Sequence, residues 1–243
     1  MYADAFCSKK LKGSNMKSKL RYFSRFEWFL ILFSYTAVLV TFFLFDGKEY
    51  FKLFSTLIGI AALVFSAKGN PMGPGLMILF ASAYGIISFS FAYYGEVITY
   101  VGMSLPMSVW AFISWFRHPS DKGRAETTVG VVRAREWGLL LLYTAVITVA
   151  FYFILGALDT PNLIPSTVSV STSFAAAYLT ARRSPYFALA YALNDVVLII
   201  LWVLATIADV GYLSVTSCFV VFLINDLYSF INWRRMSKRQ NAN

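Results

Sequence analysis

The chain has 243 residues, of which 58% are hydrophobic, 18% aromatic and only 14% charged. Soluble domains carry about 25% charged residues, so with a mean hydropathy of +0.64 this composition excludes a soluble enzyme and describes an integral membrane protein. Two cysteines, Cys7 and Cys218, and one histidine, His118, leave no Cys/His metal cluster and no disulfide framework, and the net charge of +9 requires its own account.

Residues 1–25 read as a basic cytoplasmic tail (Lys9, Lys10, Lys12, Lys17, Lys19, Arg21, Arg25), an orientation signal with no nucleic-acid role. The apolar run that follows is too long for a cleaved signal and lacks a small-residue cleavage pattern, so it is a retained first span. A span needs about 20 mostly apolar residues. Eight stretches qualify: Phe26–Phe45, Phe51–Ala67, Gly75–Tyr93, Val97–Phe116, Trp137–Ala157, Ile164–Ala181, Tyr186–Ile207 and Tyr212–Trp233. The sixth carries a hydroxyl run from Ser166 to Ser173 and belongs inside the bundle, where small and hydroxyl side chains let helices approach.

An even count puts both ends on one side. With both in the cytoplasm, 19 of the 21 Lys and Arg residues fall inside and only Lys48 and Lys52 outside. Positive charge collects on the cytoplasmic face, which accounts for the basic balance. The expected organisation is the tail 1–25, a first membrane repeat 26–116, a cytoplasmic linker 117–136, a second repeat 137–233 and a basic cytoplasmic tail 234–243.

The halves echo each other. Glu27-Trp28 and Tyr35-Thr36-Ala37-Val38 recur as Glu136-Trp137 and Tyr143-Thr144-Ala145-Val146. Ser55-Thr56 and Ala67-Lys68-Gly69-Asn70-Pro71 match Ser166-Thr167 and Ala181-Arg182-Arg183-Ser184-Pro185. Phe80–Tyr84 is matched with Phe187–Tyr191, and Phe112–Arg117 with Phe230–Arg235. A four-span unit has an even number of crossings, so the repeats are parallel; transporters built this way bind substrate where the repeats meet.

Two carboxylates lie well inside spans, each after an asparagine: Asn194-Asp195 and Asn225-Asp226. A carboxylate at bilayer depth costs about 2.5–3.5 kcal/mol and usually marks a pathway or site. Tyr191 and Asp195 are one turn apart, and a ring beside a carboxylate suits an aromatic cation. Asp226, Ser229 and Trp233 form one stripe; Asn225, Tyr228 and Asn232 form the next. The candidate substrate-binding residues are Tyr191, Asn194, Asp195, Asn225, Asp226, Tyr228 and, deep in the fourth span, Trp110. The opposing reading has the Asn-Asp pairs only holding helices together. Trp28, Trp137, Trp115 and Trp233, near span ends, read as interfacial belt residues. No HExxH, P-loop or Gly-x-Ser-x-Gly is present, so no catalytic residue, metal or cofactor is expected.

Asn162-Leu163-Ile164-Pro165-Ser166-Thr167, Ala181-Arg182-Arg183-Ser184-Pro185-Tyr186, Ala190-Tyr191-Ala192-Leu193-Asn194-Asp195 and Asn225-Asp226-Leu227-Tyr228-Ser229-Phe230-Ile231-Asn232-Trp233-Arg234-Arg235 resemble the PnuC family of nicotinamide riboside transporters. The resemblance implies an all-α membrane fold: a SWEET-like core of two three-helix bundles joined by a linking helix, with an extra first helix. It implies facilitated diffusion of nicotinamide riboside, sustained by phosphorylation inside the cell, and allows a homotrimer. Asn70-Pro71-Met72-Gly73-Pro74 and Val101-Gly102-Met103-Ser104 stand where family members carry Trp-Cys-Trp-Pro and Gln-x-Tyr-Tyr, so first-half contacts do not carry over. Tyr191 takes the place of a family tryptophan, and Asp195 matches a polar family position. The alternative is a proton-coupled carrier of another vitamin, thiamine or riboflavin, with Asp195 or Asp226 as the proton site.

Overall fold

A computed structural model describes residues 22–90, 97–120, 125–160, 162–208 and 210–242. The basic tail up to Arg21, Glu96, Lys122 and Arg124 lie outside the described residues. The described chain forms eight α-helices: α1 Arg25–Thr41, α2 Tyr50–Ala67, α3 Met72–Ser90, α4 Leu105–Arg117, α5 Ala134–Ala157, α6 Leu163–Ala181, α7 Tyr186–Ala208 and α8 Leu213–Asn241. α1 continues as a π-helical turn over Phe42–Asp46, and a π-helical stretch, Ile98–Ser104, leads into α4.

Local chemistry sets the helix ends. Ser24 and Glu27 form a capping box on α1: the Ser24 amide donates to Glu27 Oε2 (2.6 Å) and the Glu27 amide to Ser24 Oγ (3.2 Å). The buried positions of α1, Glu27, Leu30, Ser34 and Val38, recur every three or four residues and make a single stripe. In α2 a small-residue face lets other helices close in. A Cβ at Gly59 would sit 2.9 Å from the Phe80 ring and 3.1 Å from that of Phe222, so α3 and α8 can both pack there only because the residue is glycine.

Among the described residues, five stretches are long and apolar enough to cross a membrane: Arg25–Asp46, Tyr50–Ala67, Ala134–Ala157, Tyr186–Ile207 and Val210–Asn241. The other expected spans are helical but shorter or less apolar. α6 is diluted by its hydroxyls, which fall back on their own helix: Thr167 Oγ1 donates to Leu163 O (2.8 Å), Ser171 Oγ to Thr167 O (2.8 Å) and Thr172 Oγ1 to Val168 O (2.9 Å). The basic stretch Arg234–Arg239, expected as a tail, forms the last turns of α8.

α2 packs on α3 and α3 on α4; α6 packs on α7 and α7 on α8. The two groups meet where α8 lies on α2 and α4 on α6. α1 lies against α8 and α2, and α5 against α6. α5 fully buries only Leu140 and Leu155; Trp137, Ile147 and Phe151 also pack inward, and exposed residues such as Leu141, Leu142, Val149 and Phe153 are free to face lipid.

One end of the bundle is tightly closed. Trp115 of α4 donates its indole N–H to Thr180 O (2.7 Å), and Trp233 of α8 donates its own to Ser66 O (2.8 Å). Beside them Ser114 Oγ donates to Ala181 O (2.7 Å) and Asn232 Nδ2 to Ala67 O (2.6 Å). The two indoles meet at 5.1 Å between centroids, and Phe187 stands edge-on to Trp233 at 5.1 Å. Trp115 and Trp233 are both 0% exposed, so they are not belt residues. Each bonds a carbonyl in the last turn of a helix in the opposite group, sharing it with a backbone amide of the following turn.

The linker crosses this same end. The Thr127 amide donates to Gly69 O (2.8 Å) and the Gly130 amide to Arg183 O (2.9 Å). Gln240, near the end of α8, accepts from the Val129 amide (2.7 Å) and donates to Thr127 O (3.1 Å). Thr127 is fully buried beneath these contacts.

The helix starts correct one expected match. α3 and α7 begin just after Pro71 and Pro185 respectively. Phe187 therefore lies in the first turn of its helix and Phe80 in the third turn of its own, so pairing Phe80–Tyr84 with Phe187–Tyr191 is about two turns out of register. Asp195 lies ten residues after Pro185, as Ala81 lies ten after Pro71. Short apolar words recur by chance, and only the helix ends supply the register.

Candidate functional site: a buried carboxyl pair between two helices

Asp195 precedes the end of α7 by as many residues as Asp226 follows the start of α8. In antiparallel neighbours this puts both at one depth, about 20 Å from that end at 1.5 Å per residue. The side chains face each other within hydrogen-bonding reach, and both are 3% exposed.

The asparagine of each pair turns to a different neighbour. Asn194 Oδ1 accepts from Ser169 Oγ (3.0 Å) and Thr172 Oγ1 (2.9 Å), tying α7 to α6. Asn225 Nδ2 donates to Ser34 Oγ (2.9 Å) and Val221 O (2.8 Å), tying α8 to α1. The opposing reading of the sequence thus describes these asparagines, while the carboxyl groups stand apart from both ties.

Around the carboxyl pair, Tyr191 lies one turn from Asp195, with its phenol near Asp195 and Asp226 and within hydrogen-bonding reach of the Thr180 side chain. Cys218, two turns before Asp226 on α8, is buried among Val38, Ile60, Phe80 and Phe222 instead. Two buried polar atoms have no hydrogen-bond partner: Asp195 Oδ2 and Ser229 Oγ, the latter one turn from Asp226. Phe187 is two turns from Asp195 and Trp233 two turns from Asp226, so the tryptophan closure lies directly beyond the pair on the linker side. On the opposite side a cavity of about 20 Å³ is lined by Cys218, Thr56, Tyr84, Ser214 and the ion-paired Asp46 and Lys52.

Tyr228 and Trp110 are placed elsewhere. The Tyr228 phenol donates to Glu27 Oε1 (2.6 Å), where Glu27 also accepts from Lys68 Nζ (2.9 Å). A cavity of about 10 Å³, lined by Phe23, Glu27, Lys68, Asn225 and Tyr228, adjoins that cluster. Trp110 is 43% exposed and packs edge-on against Tyr178 of α6 at 5.8 Å. The structure therefore brings together Tyr191, Asp195 and Asp226 of the expected residues and adds Ser229 and Thr180. Ser229 shares a helical stripe with Asp226 and is legible in sequence; Thr180 arrives by packing.

Comparison with known proteins agrees with a multi-pass membrane transporter and not an enzyme. The chain is 27% identical over 221 residues to the nicotinamide riboside transporter PnuC of Neisseria mucosa, covering 88% of this chain and 82% of that protein. It is 22% identical over 195 residues to the nicotinamide riboside transporter PnuC of Haemophilus influenzae, covering 79% and 83%. Its fold matches the crystal structure of the vitamin B3 transporter PnuC with a TM-score of 0.77 at 24% identity, covering 90% of this chain and 94% of that one. A family profile described as nicotinamide mononucleotide transporter matches residues 49–235, most of the chain, and by this match the chain belongs to that transporter family.

Proposed function

We propose that this chain carries nicotinamide riboside across the cell membrane by facilitated diffusion with alternating access, holding the pyridinium at Asp195 and Asp226 with Tyr191 alongside. The observation that carries this reading is the convergence of two buried carboxyl groups and an aromatic ring at one depth, with no Lys, Arg or His partner for either carboxyl among the described residues. A fixed cation is stabilised there by charge and by the ring face. The same pair selects against the mononucleotide, whose phosphate would meet two carboxyl groups and no countercharge.

The membrane arrangement belongs to the proposal: eight spans, both ends cytoplasmic and the linker end inside. The biased distribution of Lys and Arg supports it. So does a set of matched contacts in the two halves, which favours parallel repeats 26–116 and 137–233. Lys68 binds Glu27 (2.9 Å) as Arg182 binds Glu136 (2.6 Å). Ser114-Trp115 reach the end of α6 as Asn232-Trp233 reach the end of α2. By that correspondence Asp226 stands where the first half has Ser108, so the second half supplies the charge.

In this conformation the tryptophan contacts seal the cytoplasmic side, and access from that side requires them to part. The exposed flank of α5 is a surface through which a homotrimer could form in lipid. Calorimetric titration of the purified protein with nicotinamide riboside, nicotinamide mononucleotide, thiamine and riboflavin tests the assignment. Riboside binding that is lost in Asp195→Asn supports it. Tighter binding of riboflavin, which is uncharged, or unchanged riboside binding in both Asp195→Asn and Asp226→Asn, would overturn it.

A further inference from the structure

The end of the bundle opposite the linker is closed by different chemistry from the tryptophan end. There the π-helical turn Phe42–Asp46 that ends α1 lies against α8 and against the short helical turn Val210–Tyr212 before it. Asp46, the last residue of the π turn, binds Lys52 in the first turn of α2 at 2.9 Å. The ion pair ties the end of α1 to α2 and forms one wall of the cavity of about 20 Å³.

Three observations set this pair apart from a staple between helices. It has no counterpart in the other half. At the linker end Glu27–Lys68 is matched by Glu136–Arg182. Counted from the helix caps Ser24 and Arg133, however, Asp46 corresponds to Leu155, a buried apolar residue. Packing of the first helix of a repeat on the second therefore needs no ion pair at this end. Lys52 is also one of only two Lys or Arg residues that the span assignment places on this side, so it stands against the general charge bias. Finally, the pair is largely withdrawn from water, with the Asp46 side chain 12% exposed and that of Lys52 25%. Desolvation of the two charges offsets much of their attraction, so the pair is a weak way to hold two helices together.

The cavity continues this polarity inward. Thr56 Oγ1 donates to Lys52 O (3.0 Å) and meets the Tyr84 phenol at 3.3 Å, while Ser214 of α8 lines the same space. Cys218 forms its inner wall, and Asp226 lies two turns further along α8, about 12 Å at 1.5 Å per residue. Polar groups thus lead from the ion pair toward the carboxyl pair. At about 20 Å³ the cavity has room for one water, so a riboside can pass only after the end of α1 moves aside.

We propose that Asp46 is an outer docking seat for the cationic ring of the riboside, and that Lys52 is the site's own cation, which the riboside displaces on entry. This rests on the function and orientation proposed above and adds an entrance to them. The Lys52 ammonium occupies the carboxylate that an incoming pyridinium would take. Exchanging one cation for the other keeps the charge of the seat constant and frees the end of α1 from α2, so the entrance opens when a cation arrives. No second ion crosses the membrane, and entry remains facilitated diffusion.

A staple and a seat predict different signs for the two partners. In proteoliposomes, Asp46→Asn is expected to raise the riboside concentration for half-maximal uptake about threefold, and Lys52→Met, which removes the internal competitor, to lower it by a similar factor. An increase in both variants, or a change in neither, overturns the proposal. A second measurement leaves the ion pair intact and so does not depend on how the variants fold. In protein lacking only Cys7, Cys218 is expected to react about threefold faster with a cationic methanethiosulfonate than with an anionic one, each rate taken relative to a free thiol. Equal relative rates overturn the seat. Wild-type protein that carries no riboside overturns the transport function instead, while the labelling of Cys218 still reports on the seat.

Discussion

Successive residues of an α-helix point about 100° apart, so neighbours in sequence address different partners. Asn194 is spent on Ser169 and Thr172, whereas Asp195 turns to the seam with α8. Substitutions at the two positions should therefore separate stability from function. Asn194→Leu removes the acceptor of two hydroxyls and is expected to destabilise by about 1 kcal/mol, read as a lower Tm in detergent, with riboside affinity little changed. Asp195→Asn removes a buried carboxyl with no cationic partner; it is expected to hold or raise Tm while weakening riboside binding at least about tenfold, or 1.4 kcal/mol. A fall in Tm for Asp195→Asn with affinity intact would instead make Asp195 a structural residue.

Helix ends carry the second level of organisation. A carbonyl in the last turn of α2 and one in that of α6 are each met by an indole N–H from the other group of helices. Trp233→Phe keeps the ring and loses the donor. It is expected to cost about 1 kcal/mol and to speed maleimide labelling of a cysteine placed at Ala188, beside Phe187, in a background lacking Cys7 and Cys218. Labelling as slow as in the parent would show that the bond does not hold the closure. The turn after α2 makes a further demand: Gly69 has φ +67°, and a Cβ there would lie 2.9 Å from Met236 Cε. Gly69→Ala is expected to lower stability by about 1–2 kcal/mol in thermal unfolding. The corresponding Arg183 holds φ +56° without being glycine, and its guanidinium donates to Thr128 Oγ1 (2.8 Å) in the linker.

At the level of the whole molecule, the linker ties both halves at the closed end through Gly69 O and Arg183 O. Opening that end must release main-chain bonds as well as the indoles. Gln240→Ala removes the side chain that bonds Thr127 and Val129, and it is expected to loosen the linker without touching the carboxyl pair. Hydrogen exchange at Thr127 and Val129 should quicken while riboside affinity stays within about twofold; unchanged exchange would show that the linker is held without Gln240.

Membrane residence and helical class follow from composition and apolar runs, because lipid demands internally satisfied backbone over a set length. The charge bias and the placing of two carboxylates within apolar helices are equally local, and both are readable from the chain. What local pattern cannot carry is partnership across helices. Trp115 and Trp233 look interfacial by position, yet a carbonyl from a distant helix end draws each inward. Tyr228 shares α8 with Asp226 but faces Glu27, and Trp110 of α4 faces Tyr178. The apolar words Phe80–Tyr84 and Phe187–Tyr191 resemble one another, yet they lie about two turns apart when each is counted from its proline-led helix start. The sequence by itself determined the solvent, the helical class and the two carboxyl groups set within apolar helices; only the tertiary structure decided what each of them meets, because a contact between α7 and α8 depends on where each helix begins and how far it is rotated.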